Sequence, residues 1–117
     1  MSDARTNLLV GKDQDAQTGV TVLHVSGELD LATISILKDA VGLELDAGTG
    51  PVVLDLSDLT FCDSTGLGSF VAMHRHATEV GSTIALAAPR RRVADLLQIS
   101  GINQVVRVFD SVTDAVS

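Results

Sequence analysis

Tryptophan and tyrosine are missing from this chain of 117 residues, and phenylalanine occurs three times. Hydrophobic residues still make up 45% of it, so the core must be aliphatic, built from Val, Leu, Ile and Ala. Cysteine is scarcer yet. Cys62 stands alone, which excludes an internal disulfide and fits a reducing compartment. Positive charge is in short supply too, with 8 Lys and Arg against 15 Asp and Glu. The net charge of −7 argues against nucleic acid or an anionic membrane as a partner. No apolar run approaches the ~20 residues that span a bilayer. The polar start, about residues 1–7, lacks the apolar core of a signal peptide. A cytoplasmic protein is expected. There is no repeat, low-complexity tract or linker, and the length suits one ordinary domain over residues 1–117.

What is present is an alternation of short apolar runs and amphipathic stretches. Residues 8–10 make a weak first strand and residues 12–18 a polar turn. Gly19 precedes a clearer strand over residues 20–26, largely apolar on both faces, which Gly27-Glu28-Leu29-Asp30 ends. A helix is predicted from Ala32 or Thr33 to Leu45, where Ile34, Leu37, Val41 and Leu45 repeat at spacings of three and four. The turn Ala47-Gly48-Thr49-Gly50 leads to residues 51–56, too short for a helix and rich in β-branched side chains, hence a buried strand. A second helix runs from about Asp63 or Ser64 to Val80, with Leu67, Phe70, Val71, His74 and Ala77 on one face and Gly81 as its stop. Residues 83–87 form another strand. Pro89 suits the first turn of a third helix carrying Val93, Leu96 and Leu97 inward and ending near Ser100-Gly101. A last strand covers residues 105–109, and Asp110 or Ser111 caps a short helix ending near Val116.

This order predicts an α/β fold: a mixed, mostly parallel sheet of four or five strands with about four helices. Residues 8–10 would be its antiparallel edge. Right-handed crossovers then bring the loops at Asp30 and at Asp63-Ser64 to one rim of the sheet. The second loop is the more informative. Asp63 or Ser64 can cap the helix that follows. Gly66 and Gly68 fall in its first turn, although glycine costs roughly 1 kcal/mol relative to alanine inside a helix. Something is expected to approach the backbone there. A hydroxyl at a helix N-terminus, beside free N–H groups, is a good place to carry or meet a phosphate. Capping alone would account for Ser64, and loop or capping duty for Asp30 and Asp63.

Phe61-Cys62-Asp63-Ser64-Thr65-Gly66-Leu67-Gly68 resembles the signature of the anti-sigma factor antagonists, bacterial members of the STAS domain family. The likeness continues through Gly27-Glu28-Leu29-Asp30, Val53-Leu54-Asp55-Leu56-Ser57 and Ile99-Ser100-Gly101-Ile102, covering roughly residues 20–116 in order. It implies phosphorylation of Ser64 by a partner kinase, with Thr65 as the lesser alternative. It also implies a partner surface of Asp30, Asp63, Ser64, Thr65, Gly66, Leu67 and Gly68. The implied mechanism is partner switching in stress or sporulation signalling. The unmodified chain binds an anti-sigma factor that is also a serine kinase and so frees the sigma factor, which it meets only indirectly. Phosphorylation releases the chain and a serine phosphatase resets it. The chain would be a substrate and binding module, a monomer or weak dimer, with no catalytic residue, cofactor or metal of its own. The rival within the family is a scaffold in a larger signalling or transport-associated complex, without a Ser64 switch.

Other chemistries fit poorly. His74 and His76 are two apart on a helix and do not share a face, whereas a zinc pair wants a spacing of four. His74 lies ~15 Å along the helix from Ser64, and His24 about 20 Å along a strand from the rim. Neither serves as a base for Ser64, so hydrolase chemistry is disfavoured. A small flavodoxin-like enzyme or ligand binder would need a phosphate-binding glycine loop after its first strand, and Gly27-Glu28-Leu29-Asp30 is not one. Cys62 reads as a small packing residue with no cationic neighbour to activate it. Arg90-Arg91-Arg92 reads as a solvated turn.

Overall fold

The computed structural model describes residues 7–117. The polar tail expected over residues 1–7 lies outside them except for Asn7, which is exposed. The strands are β1 (Leu8–Gln14), β2 (Thr21–Leu29), β3 (Val52–Cys62), β4 (Ile84–Ala87) and β5 (Arg107–Phe109). The helices are α1 (Ile34–Asp46), α2 (Ser64–Glu79), α3 (Arg91–Ile99) and α4 (Val112–Val116), with a 3₁₀ turn at Ile102–Gln104. The strands form one five-stranded sheet in the order β1-β2-β3-β4-β5. β1 is antiparallel to β2 and every other pair is parallel. The expected mixed, mostly parallel sheet with an antiparallel edge strand is what forms.

Alternation along the strands sends two sets of side chains to opposite faces. One face carries Leu23, Val25, Leu54, Leu56, Ile84 and Leu86 into the main core. There they meet Leu37, Val41 and Leu45 of α1, Phe70, Met73 and Ala77 of α2, and Val93 and Leu97 of α3. A smaller cluster on the other face joins Val22, Val53 and Ala87 to Val112, Ala115 and Val116 of α4. Phe70 is the one aromatic among the largest fully buried side chains, so the core is aliphatic as the composition demands.

The strands run further than their apolar runs. β1 extends through Lys12, Asp13 and Gln14, which pair with Leu23, Val22 and Thr21. Only from Asp15 does the chain turn, with the Asp15 carboxylate accepting from the Thr18 N–H and hydroxyl at 2.8 and 2.9 Å. β2 continues to Leu29 instead of ending at Gly27. β3 continues to Cys62, six residues past Leu56, because it is bulged twice. Between His24 and Ser26 of β2 the partner residues advance from Asp55 to Asp58, and between Gly27 and Glu28 from Leu59 to Phe61. Each bulge adds a residue to β3, so Leu56, Leu59 and Cys62 all face the core at a spacing of three.

Three local expectations are corrected. Pro89 precedes α3 rather than opening it. Arg90 is the N-cap, and Ala88 turns the chain with a φ of +55°. The last strand starts at Arg107, because Val105 closes the 3₁₀ turn and is 50% exposed. The buried face of α2 is Gly66, Ser69, Phe70, Met73 and Ala77, while Leu67, Val71 and His74 are half-buried beside it. Gly66 lets the first turn of the helix pass close to the end of the sheet.

Candidate functional site

The ends of β2 and β3 build the site. Leu29 and Cys62 are register partners, so the residues that follow them, Asp30 and Asp63, leave adjacent strands at the same edge. The Asp63 N–H donates to the Leu29 carbonyl at 3.2 Å and ties the two loops together. Asp30 and the Asp63-Ser64 step therefore share one rim, as the crossover argument requires.

Each carboxylate has a local task. Asp63 is the N-cap of α2, and its Oδ1 accepts the Gly66 N–H at 2.8 Å. The Asp30 Oδ1 accepts from the Ala32 N–H at 3.0 Å and the Thr33 hydroxyl at 3.2 Å. Thr33 is buried, and its single hydroxyl proton is shared between the Asp30 Oδ1 and the nearer Glu28 carbonyl at 2.8 Å while its oxygen accepts the Asp30 N–H at 3.0 Å, which fixes the loop ahead of α1. One oxygen of each carboxylate is thus engaged. The other has no hydrogen-bond partner among the described residues.

Ser64 is relieved of capping. It is the first residue of α2 and is exposed, and its hydroxyl has no hydrogen-bond partner among the described residues. Sequence alone allowed either Asp63 or Ser64 to cap, since both residue types do so. The structure gives the cap to Asp63 and leaves the Ser64 hydroxyl in solvent at the positive end of a helix of 16 residues. Thr65 beside it is half-buried.

The two glycines of the first turn differ. A Cβ on Gly66 would lie 2.8 Å from the Cys62 Sγ and 2.8 Å from the Leu29 carbonyl oxygen. What approaches Gly66 is the protein's own interior, so its place in the partner surface is corrected: it is buried. Gly68 is exposed, with nothing within 4 Å of the Cβ position. Leu67 is half-buried. The rim also carries an exposed apolar side chain that the pattern of the sequence did not flag. Leu31, next to Asp30, is 74% exposed. A leucine directly after Asp30, in the short loop ahead of α1, was the available signal.

Cys62 is 5% exposed, and burial, with the Asp63 charge adding to it, pushes its thiol up to about 12. It packs, as the sequence reading holds. The histidines stay away from Ser64. His76 contacts Asp46 at 2.9 Å, and the His74 Nδ1 is buried without a hydrogen-bond partner. His24 pairs with Asp55 at 2.7 Å across β2 and β3, a contact that neither residue advertises in the sequence. Burial pushes the Asp55 carboxyl up, but the Ser57 N–H and the His24 ring outweigh it and hold it below the usual range. Arg90 does not stay a purely solvated turn. Its Nε donates to the Ser57 carbonyl at 2.8 Å. No helix among the described residues is long and apolar enough to cross a membrane.

The family model described as "Mlab, STAS domain" matches residues 13–108. This chain belongs to the STAS domain family. Among curated relatives, the Thermotoga neapolitana TM1081 homolog is 31% identical over 97 residues, covering 82% of this chain and 86% of that protein. The anti-sigma F factor antagonist of Paenibacillus polymyxa is 27% identical over 110 residues, covering 90% and 91%. Among solved structures, an anti-sigma factor antagonist from Mycobacterium paratuberculosis superposes with a TM-score of 0.84 over 97% of this chain and 95% of its own, at 23% identity. At that identity the likeness speaks for the STAS fold alone. The same fold recurs in the murine anion transporter Slc26a9, at a TM-score of 0.73 and 24% identity, over 85% of this chain and 17% of the transporter.

Proposed function

We propose that this STAS domain is an anti-sigma factor antagonist that switches partners through Ser64. The observation that carries the reading is the division of labour at the start of α2. Asp63 caps the helix, so the exposed Ser64 hydroxyl has no structural duty and is open to a kinase. The relatives named as anti-sigma factor antagonists support the role.

In this reading the unmodified rim binds an anti-sigma factor that is also a serine kinase. Asp30, Asp63, Thr65, Leu67 and Gly68 frame the contact around Ser64. The kinase supplies ATP and magnesium, the Ser64 oxygen bonds to the terminal phosphorus as ADP leaves, and the hydroxyl proton passes to a base of the kinase. A dianion then stands in the docking surface on the rim that carries Asp30 and Asp63, where charge repulsion and desolvation oppose the partner. A serine phosphatase restores the hydroxyl. The chain itself performs no catalysis in this cycle and needs no cofactor. Incubation with anti-sigma kinases and magnesium-ATP, followed by mapping of the phosphate, tests the reading. Labelling should fall on Ser64 and vanish in Ser64→Ala with the fold intact. Undiminished labelling of that variant, or phosphate on Thr65 alone, overturns the assignment.

The scaffold reading has one observation in its favour, the recurrence of the fold as a small part of an anion transporter. Absence of any kinase acting on Ser64 would promote it.

A further inference from the structure

Strand order decides what covers this sheet. β2, β3, β4 and β5 follow one another across it without a reversal. Right-handed crossovers therefore place α1, α2 and α3 on the same face. Parallel sheets are ordinarily covered on both faces. Here the second face receives α4, a helix of five residues, whose Val112, Ala115 and Val116 pack with Val20, Val22, Val53 and Ala87. Among the described residues, the part of that face nearer the rim has no such cover.

Register identifies what stands there. Leu9 pairs with Ser26, His24 with Asp55, Ser26 with Asp58, and Glu28 with Phe61. All alternate with the buried Val25, Leu29, Leu59 and Cys62, so they point away from the three large helices. Leu9 is 67% exposed and Phe61 42%. Beside these two apolar side chains Glu28 and Asp58 are exposed carboxylates, while Asp13 lies further along β1, paired with Val22 and 4.0 Å from the His24 Nε2. Arg90 approaches Asp58 at 3.9 Å.

The strip from His24 to Glu28 is about 13 Å long, and the three strands β1 to β3 span about 10 Å across. An α-helix with side chains is about 10–12 Å wide and rises 5.4 Å per turn, so roughly two turns fit. We propose that this bare acidic strip docks a basic amphipathic helix of a partner protein. Its apolar stripe lies on Leu9 and Phe61, and its cations face Glu28 and Asp58. A second copy of this chain fits worse, because it would set like carboxylates and a net charge of −7 against themselves. The strip is separate from Ser64 and does not depend on the partner-switching reading.

The probe is a synthetic amphipathic helix of about four turns, built from leucine and lysine, with a leucine–glutamate counterpart as control. Isotope-labelled full chain is titrated with each and followed by amide chemical shifts. The expected result is saturable binding of the basic peptide, with shifts centred on Leu9, His24, Glu28 and Phe61. Phe61→Ser, and separately Leu9→Ser, should weaken it about tenfold without changing the melting temperature. Glu28→Gln with Asp58→Asn should weaken it and flatten its salt dependence. Equal binding of the acidic peptide, shifts centred on the start of α2, or no saturation overturns the proposal. So does a dimer of the chain alone that Phe61→Ser dissociates, which would give the strip to a second copy.

Discussion

Cys62 and Ser64 lie two residues apart and meet opposite environments. Cys62 closes β3 facing the core, while Ser64 opens α2 facing solvent. The sequence already pointed to both roles, but it could not divide capping between Asp63 and Ser64, because that choice depends on which backbone bends first. Burial keeps the Cys62 thiol protonated up to about 12, against an ordinary value of 9.0. Its stabilising contribution is therefore complete below the unfolded value and is lost as pH rises from about 9 towards about 12. Iodoacetamide at pH 8 should leave folded Cys62 nearly unmodified and should alkylate it readily in denaturant. Fast alkylation of the native protein would show the thiol to be exposed and activated instead. His24 and Asp55 were beyond sequence reasoning at this scale. Their contact exists because two strands separated by a whole helix fall into parallel register.

At the scale of the element, α2 tests the meaning of paired glycines. In the sequence Gly66 and Gly68 are equivalent, both costly to a helix and both suggesting a close approach. The fold separates them. At Gly66 an added methyl group meets the Leu29 carbonyl, a backbone atom that cannot step aside. Gly66→Ala should destabilise by about 1–3 kcal/mol, the range for overpacking. Gly68→Ala should stabilise by up to about 1 kcal/mol, since alanine is the better helix former and nothing fills that space. Denaturant melts of the two variants check both signs. If Gly68 lies under the partner, the stabler Gly68→Ala protein should also bind it less well. Helices were legible from their spacing, as Leu37, Val41 and Leu45 show. The far half of β3 was not, because its bulges replace the period of two with a spacing of three at Leu56, Leu59 and Cys62. Pro89 misled for a similar reason. Proline is equally at home in a first helical turn and in the extended step before a cap, and the turn at Ala88 decides for the latter.

At the scale of the molecule, the parallel sense of the sheet was within reach of the sequence, since every parallel connection carries one helix. That all three large helices share a face follows from a strand order that never reverses, which no single segment of sequence displays. The same architecture shapes the expected effect of phosphorylation. Ser64 is exposed at the end of the sheet, so a phosphate on its hydroxyl projects into solvent and leaves the core packing in place. It adds a charge of roughly −1.5 to −2 to a chain already at −7. The helix N-terminus favours that charge by about 0.3–1 kcal/mol, and repulsion from Asp30 and Asp63 opposes it on a similar scale. Melting temperature and far-ultraviolet circular dichroism should therefore change little between the two forms. Affinity for the anti-sigma partner, measured with nucleotide present, should fall at least tenfold, about 1.4 kcal/mol. Ser64→Asp should lose only part of that, because a carboxylate carries about half the charge of a phosphate and fewer acceptor oxygens. Equal affinities of the phosphorylated and unmodified chains for the same partner would rule out switching at Ser64. A large drop in melting temperature would show that the modification acts by unfolding the rim and not by repelling what docks there.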